Sequence, residues 1–445
     1  MVSCFGWFPD TERMTDPRDT LSGTPMRWPQ GVVIAITMVL SGLDGFDMLA
    51  ISFASPGIAA EWHIDRATLG FVLSMELIGM SVGSIGLGRL ADRVGRRPII
   101  LVCLVLMAAG MFMATFARGT ADLSAWRLLT GLGIGGTLAT ATAMSSEFSS
   151  DARRELGVSL MAIGYPIGVT VGGAVCALLL RNHGWRWVFY FGGTMTAAFI
   201  PLVLAFLPES VHWLTTNQPK GALERINRVL VRLGREAIAA LPDVSGVAAQ
   251  VRKPAIFSRA LRAFTMLSTL AYCFHIFTYF YILKWLPTII VDMGFSASSA
   301  VGVLVWINVG AVLGGILLGS LAKTVGLRRI CIAAMIASAA VVIAFGRIGH
   351  NLKDLSLLGV VAGVCITTGI VGVYSIFARG FPTNARGSGT GFGMGVGRVG
   401  SAMAPISAGM LFRSGHDVAT VSTVMAMGSL LAAAAVFALR FPRGG

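Results

Sequence analysis

Asp44 and Asp47 stand three residues apart in "SGLDGFDMLA", residues 41–50, a stretch with no other charge. At i and i+3 two carboxylates leave nearly the same side of a helix, about one turn apart. An ionised carboxylate in a bilayer centre costs a few kcal/mol, so such a group is paired, protonated or turned to a watery cavity. Two so close titrate as a coupled pair, which suits a proton carrier. The bland alternative is a static ion pair that anchors helix packing.

Eight further residues offer complementary chemistry. Arg127, in "RLLTGLGIGG", cannot lose its proton and is a fit counter-ion for an acid that must gain and lose one. At 1.5 Å per residue Asp47 lies about 24 Å from the start of its segment, and Arg127 about 26 Å from the end of its own, two ends expected on the same side of the membrane, so the two are expected to pair. Glu76, about 21 Å deep by the same count, is expected to join them or to serve a helix contact. Arg398 lies among Gly391, Gly393, Gly395, Gly397 and Gly400, which leave room beside its guanidinium for a bidentate carboxylate. His275, Tyr279, Trp306 and Asn308 lie at similar depth, and Tyr165 in "GYPIGVTVGG" could face the same space. Rings stack on a flat substrate, and Tyr or Asn can bond a ring hydroxyl. A Tyr or Trp there could equally be an interfacial anchor, and a lone His a structural group.

These residues need a membrane around them. Of 445 residues 55% are apolar and 13% charged, with a mean hydropathy of +0.76. That is an all-α polytopic membrane protein, not a soluble domain. Twelve charge-poor apolar runs match the roughly 20 residues a helix needs to cross a bilayer: 31–54, 68–90, 98–117, 121–144, 156–180, 185–207, 262–286, 298–321, 328–346, 355–377, 388–411 and 419–440. The division expected is a 1–30 tail, a 31–207 bundle, a 208–261 linker, a 262–440 bundle and a 441–445 tail. Lys and Arg gather in alternate loops, which puts both termini in the cytoplasm and the protein in an inner membrane. The net charge of +14 is then a topological bias and needs no nucleic-acid partner. Six cysteines fit no metal or disulfide spacing and read as small hydrophobes. No cofactor is called for, and a monomer is expected to suffice. The linker carries Leu223, Ile226, Val229, Leu230 and Leu233 at helical spacing, with arginines on the other faces. An amphipathic helix at the membrane surface is expected there.

The chain repeats itself. "LGRLADRVGRRP" from Leu87 returns 231 residues later as "LGSLAKTVGLRR" from Leu318, and "DARRELG" from Asp151 echoes "NARGSGTG" from Asn384. Two six-helix halves follow. Asp92 can pair with a basic residue such as Arg386 to lock one mouth. Gly88, Arg93, Arg96 and Arg97 complete that loop, or the arginines simply set topology. Glu147 is expected to pair with Arg154. Lys323 replaces the acid in the second copy, so an equivalent lock is not expected there.

"GRLADRVGRRP" resembles the signature loop of the major facilitator superfamily. "LDGFDMLAIS", "YFYILKWLPTIIVDMGFS" and "FPTNARGSGTGFGMGVGRVG" together resemble its aromatic acid:proton symporters. The resemblance implies twelve helices in two repeats, with the acid of the first helix and the arginine of the fourth facing one cavity. It also implies symport of a proton with a small aromatic carboxylate such as a benzoate or hydroxybenzoate. Residue chemistry alone reaches a proton-coupled carrier of an anion. It leaves open a drug exporter or a sugar or organic-acid carrier of the same fold. A membrane enzyme or sensor fares worse, because no metal-ligand cluster or nucleophile motif is present.

Overall fold

The computed structural model describes residues 16–242, 256–259, 261–347 and 351–440; the side chains of Lys323 and Arg386, both singled out above, lie outside the described residues. Twelve long helices make up the membrane domain. In the first half they are α1 (Trp28–Trp62), α2 (Arg66–Val94), α3 (Arg96–Thr115), α4 (Thr120–Glu147), α5 (Arg154–Asn182) and α6 (Arg186–Phe206). In the second they are α7 (Arg262–Asp292), α8 (Ala297–Leu321), α9 (Leu327–Phe345), α10 (Leu352–Gly380), α11 (Thr383–Arg413) and α12 (Val418–Ala438). Helices are the form such a chain must take, because lipid offers no partner for a free backbone N–H or C=O. Among the described residues, eleven have the length and apolar composition to cross a membrane. α11 is as long, but its glycines and three arginines, Arg386, Arg398 and Arg413, dilute its hydropathy.

Several helices overshoot the apolar runs. α1 continues through Pro56 to Trp62, with Ser55, Pro56 and Ile58 buried and Trp62 edge-on to Trp185 of its own half at 5.5 Å. The repeat is written in the backbone as well. Gly95 (φ +119°) ends α2 and Gly326 (φ +93°) precedes α9, 231 positions apart like the motifs that contain them. Both need a left-handed conformation that favours glycine. In the second copy the connection from α8 runs through a π turn, Ala322–Gly326.

Close helix approach depends on small residues. A Cβ on Gly168 would stand 1.9 Å from the Gly42 carbonyl oxygen, and one on Gly45 would stand 2.6 Å from that of Tyr165. These contacts lay α5 against α1 and bring Tyr165 beside the aspartate pair. The linker helix, Ala222–Arg232, departs from expectation. Ile226, Val229, Leu230 and Leu233 are buried with Leu21, Val33, Phe148, Leu207 and Trp213. Its apolar face therefore lies on protein, where the foot of the first half offers a drier surface than a lipid interface. Arg232 Nη2 donates to Ala205 O at 2.8 Å, and Asn227 exchanges bonds with Ile238 at 2.8 and 3.0 Å.

The two halves meet mainly at the end away from the chain termini, called the far end below. There Ser55 Oγ and Thr288 Oγ1 are 2.9 Å apart. Arg66 pairs with Asp292 at 2.7 Å and Arg413 with Asp65 at 3.3 Å. α11 comes so near α2 that a Cβ on Gly70 would stand 2.3 Å from Pro405 O.

Candidate functional site

The charged centre begins with α1. Asp44 and Asp47 are buried, 2% and 0% exposed. Neither carboxylate oxygen of Asp44 has a hydrogen-bond partner, and nor does Oδ1 of Asp47. Asp47 Oδ2 accepts from Thr196 Oγ1 of α6 at 3.3 Å. Groups so placed in a protein interior are costly as anions and are commonly found where a proton or ligand comes and goes.

Arg127 lies beside them but holds a different acid. Its Nη2 is 2.6 Å from Glu76 Oε1 and donates to the backbone carbonyl of Asp47 at 2.8 Å. Oε1 counts no well-aligned hydrogen bond, so the short contact is an ion pair with poor donor angle. Arg127 Nη1 meets the Met111 thioether at 3.0 Å, and the guanidinium lies 5.4 Å from the Phe189 ring centre. The expected Asp47–Arg127 carboxylate pair is thus replaced by Glu76–Arg127, with Asp47 reached through its backbone. α2 and α4 pack glycine to backbone here: a Cβ on Gly131 would stand 2.1 Å from Glu76 O. That contact puts Glu76 nearer the guanidinium than α1 can bring Asp47.

Lys284 of α7 was not among the candidates drawn from the sequence. It is fully buried, 3.2 Å from Glu76 Oε2, and its Nζ also donates to Met48 O. Glu76 therefore bridges a cation of its own half and a cation of the other. The signal was present as a lone Lys in an apolar span, but a position two residues from the end of the run 262–286 reads as a snorkelling side chain.

A second polar group lies in the other half. Nη1 of Arg398 is buried without a hydrogen-bond partner. The guanidinium is within electrostatic range of Tyr272 and Tyr374, whose hydroxyls are 3.2 Å apart. Tyr279 in turn interacts with Tyr374 and with Tyr165, whose hydroxyl points to Met48 Sδ at 3.4 Å. Tyr165, Tyr279 and Arg398 are brought together, and Tyr272 and Tyr374 join them. An unpartnered guanidinium nitrogen among phenol rings can take a carboxylate and the ring that carries it.

Three candidates fall elsewhere. His275 is buried with Nδ1 2.9 Å from Ser429 Oγ and Nε2 3.0 Å from Ile366 O, so both ring nitrogens are used up in joining α7, α10 and α12. Trp306 is 49% exposed on α8, outside the tyrosine group. Asn308 is buried but turns its amide back to Leu304 O of its own helix at 2.9 Å.

At the end carrying the termini, Arg96 pairs with Glu147 at 2.7 Å, and Arg154 pairs with Asp151 at 2.7 Å. The expected Glu147–Arg154 pair is not formed, because Asp151 is a turn away from Arg154 whereas Glu147 faces α3. Glu147 Oε2 also accepts from Ser210 Oγ at 2.5 Å. Asp92 is 68% exposed and 3.8 Å from Arg96, in the last turn of α2. Gly88 lies one turn earlier, against Ala139, and Arg93 closes the helix. Arg97 Nη2 donates to Leu204 O at 2.6 Å. Glu209, overlooked in the sequence, caps α3 by accepting from the Arg96 and Arg97 amides at 2.9 and 3.2 Å. Burial pushes its carboxyl up from the usual value, against the pull of those donors and of Ser210 N–H.

The Major Facilitator Superfamily family model matches residues 37–346. The chain belongs to that superfamily. It is 30% identical to the 4-hydroxybenzoate transporter PcaK of Pseudomonas aeruginosa over 442 residues, with 96% of each chain covered. It is 27% identical to the gallate transporter of Pseudomonas putida, over 97% of this chain and 96% of that one. To the benzoate transport protein of Acinetobacter baylyi it is 28% identical, over 87% and 84%. These relatives bear out the resemblance to the aromatic acid:proton symporter family. The fold matches the partially occluded, inward-open xylose transporter XylE of E. coli with a TM-score of 0.74 at 16% identity, covering 94% of this chain and 100% of that one. The chain is a multi-pass membrane transporter, not an enzyme.

Proposed function

We propose that the chain carries an aromatic carboxylate, such as a benzoate or hydroxybenzoate, together with protons into the cell by alternating access, as a monomer in the inner membrane with both termini cytoplasmic. The names of its relatives support the cargo. The observation that carries the coupling is the buried charge set: three acids, Asp44, Asp47 and Glu76, against two cations, Arg127 and Lys284. With every group ionised the set is one negative charge in excess, and one bound proton balances it. Low-dielectric surroundings penalise the unbalanced state, which favours loading the proton before the site is sealed from water.

The cargo binds across from that set. Its carboxylate takes the free Nη1 of Arg398, and its ring lies among Tyr165, Tyr272, Tyr279 and Tyr374. With far-end contacts made, the loaded site faces the cytoplasm. The carboxylate and the proton leave there, and the emptied set resets the carrier.

Uptake of labelled 4-hydroxybenzoate into proteoliposomes under an imposed pH gradient tests this reading. Asp47→Asn is expected to abolish accumulation above equilibrium. Arg398→Ala is expected to weaken binding about 10- to 100-fold, the loss of one charge-assisted contact of about 1.5–3 kcal/mol. Uphill uptake by Asp47→Asn at the normal rate would remove that carboxylate from coupling. Unchanged affinity in Arg398→Ala would move the anion site elsewhere.

A further inference from the structure

At the end that carries the termini the two halves share a framework and differ in charge. Arg97 Nη2 donates to Leu204 O near the end of α6. Its counterpart in the repeat, Arg328, donates through Nη2 to Phe437 O near the end of α12. Gly95 and Gly326 make the same bend beside them. The acids do not recur. In the first half Asp92 lies in the last turn of α2, Glu147 ends α4 and Glu209 follows α6; 231 or 232 residues later stand Lys323, Arg379 and Arg440. After Arg262 the chain has only three acids, Asp292, Asp354 and Asp417. All belong to the far end, where Asp292 closes α7, Asp354 opens α10 and Asp417 caps α12.

This reversal leaves a basic site open. In the first half the Glu209 carboxylate covers the bend, so that a Cβ on Gly95 would stand 2.5 Å from its Oε2, and it accepts from the Arg96 and Arg97 amides. A Cβ on Gly326 would meet nothing within 4 Å, and no side chain caps α9. In place of the carboxylate lies a cavity of about 390 Å³ walled by Val325, Gly326, Arg328, Arg329 and Arg379, within the roughly 300–1,000 Å³ of small-ligand sites. Among the described residues no acid lies in its wall. Arg328 is held in place by the Phe437 carbonyl and by the Phe437 ring, whose centre is 5.6 Å from the guanidinium. Arginines that only set topology have no need to converge, and those that converge in the first half are answered by carboxylates.

We propose that this cavity binds a phosphate group, and that the group is the headgroup phosphate of an anionic phospholipid. Guanidinium forks match phosphate oxygens in geometry and charge, and basic pockets between membrane helices are suited to such headgroups. Two apolar neighbours favour a lipid over free phosphate. Val325 in the wall is 46% exposed, and Phe437 beside Arg328 is 71% exposed; an acyl chain covers both and inorganic phosphate neither. The lipid thus supplies the second half with the negative charge that Glu147 and Glu209 supply to the first. None of these residues belongs to the buried charge set or the tyrosine group, so the inference stands apart from the cargo and its coupling.

The test titrates delipidated full-length protein with phosphatidylglycerol and, separately, with phosphatidylcholine, and counts bound lipid by native mass spectrometry. The wild-type protein is expected to retain phosphatidylglycerol in preference. Arg328→Gln, Arg329→Gln and Arg379→Gln combined are expected to weaken that retention about 10- to 100-fold. Arg153→Gln, Arg225→Gln and Arg228→Gln combined make the same charge change at exposed positions of the first half and are expected to leave it unaltered. Arg379→Glu, a single change that puts back the acid found at that position of the first half, is expected to expel the lipid by supplying the anion from within. Equal loss in both triple variants would reduce the cluster to general charge attraction and overturn the site. So would phosphatidylcholine bound as tightly as phosphatidylglycerol, or full retention in folded Arg379→Glu protein. Inorganic phosphate separates the two sources of the anion. Retention undisturbed by excess phosphate assigns the lipid headgroup; displacement by phosphate, with a rise in melting temperature that Arg379→Glu abolishes, assigns the same cavity to the free anion.

Discussion

At the residue scale the site is a matter of which buried polar atoms are satisfied and which are not. Arg398 Nη1, both oxygens of Asp44 and Oδ1 of Asp47 are free. His275 is not, and its two bonds tie three helices. His275→Ala is therefore expected to destabilise the protein by about 1–3 kcal/mol, the cost of leaving buried partners unpaired, with cargo affinity unchanged. Thermal unfolding in detergent alongside equilibrium binding checks this, and a large affinity loss without destabilisation would restore the histidine to the site. Asp44, Asp47, Glu76, Arg127 and Arg398 were legible in the sequence because charge is so scarce in these spans. Their pairing was not, since depth along a helix says nothing about which face a neighbour presents. Lys284 was hidden by its place near a helix end. Tyr272 and Tyr374 looked like any other aromatic residues in an apolar run.

At the element scale, glycine decides how near two helices come. The α1–α5 contact is a pair of backbones touching through Gly42 and Gly168. Gly168→Val inserts three carbons where there is no room for one. It is expected to cost about 1–3 kcal/mol or more and, by pushing Tyr165 away, to lower cargo affinity as well. Purification yield and melting temperature report the first effect, and binding to the folded fraction reports the second. Wild-type stability in that variant would show that the helices can part at no cost. The glycine-rich stretches of α5 and α11 were evident as close-packing segments from composition alone. The linker helix was evident as amphipathic, yet its partner was not, because a moment gives the direction of an apolar face and not whether lipid or protein covers it.

At the scale of the whole molecule the chain is two copies of one plan, with Gly95 and Gly326 marking the same bend in each. Duplication was readable as two motif pairs in matching register. The closed far end was not, because Ser55, Thr288, Arg66 and Asp292 lie in unrelated segments and meet only when the halves do. Nor did hydropathy give the true helix ends, since α1 and α7 remain helical past their apolar runs, to Trp62 and Asp292. The charge set reaches across the join between the halves through Lys284–Glu76, and the proposed symport makes proton movement its central claim. Proton movement on cargo entry is the direct readout. Proteoliposomes with a pH dye inside, given 4-hydroxybenzoate outside and corrected for protein-free vesicles, should show their lumen acidify with the wild-type protein and not with Asp47→Asn. Alkalinisation of the lumen, or acidification equal in both proteins, would contradict proton symport through this site.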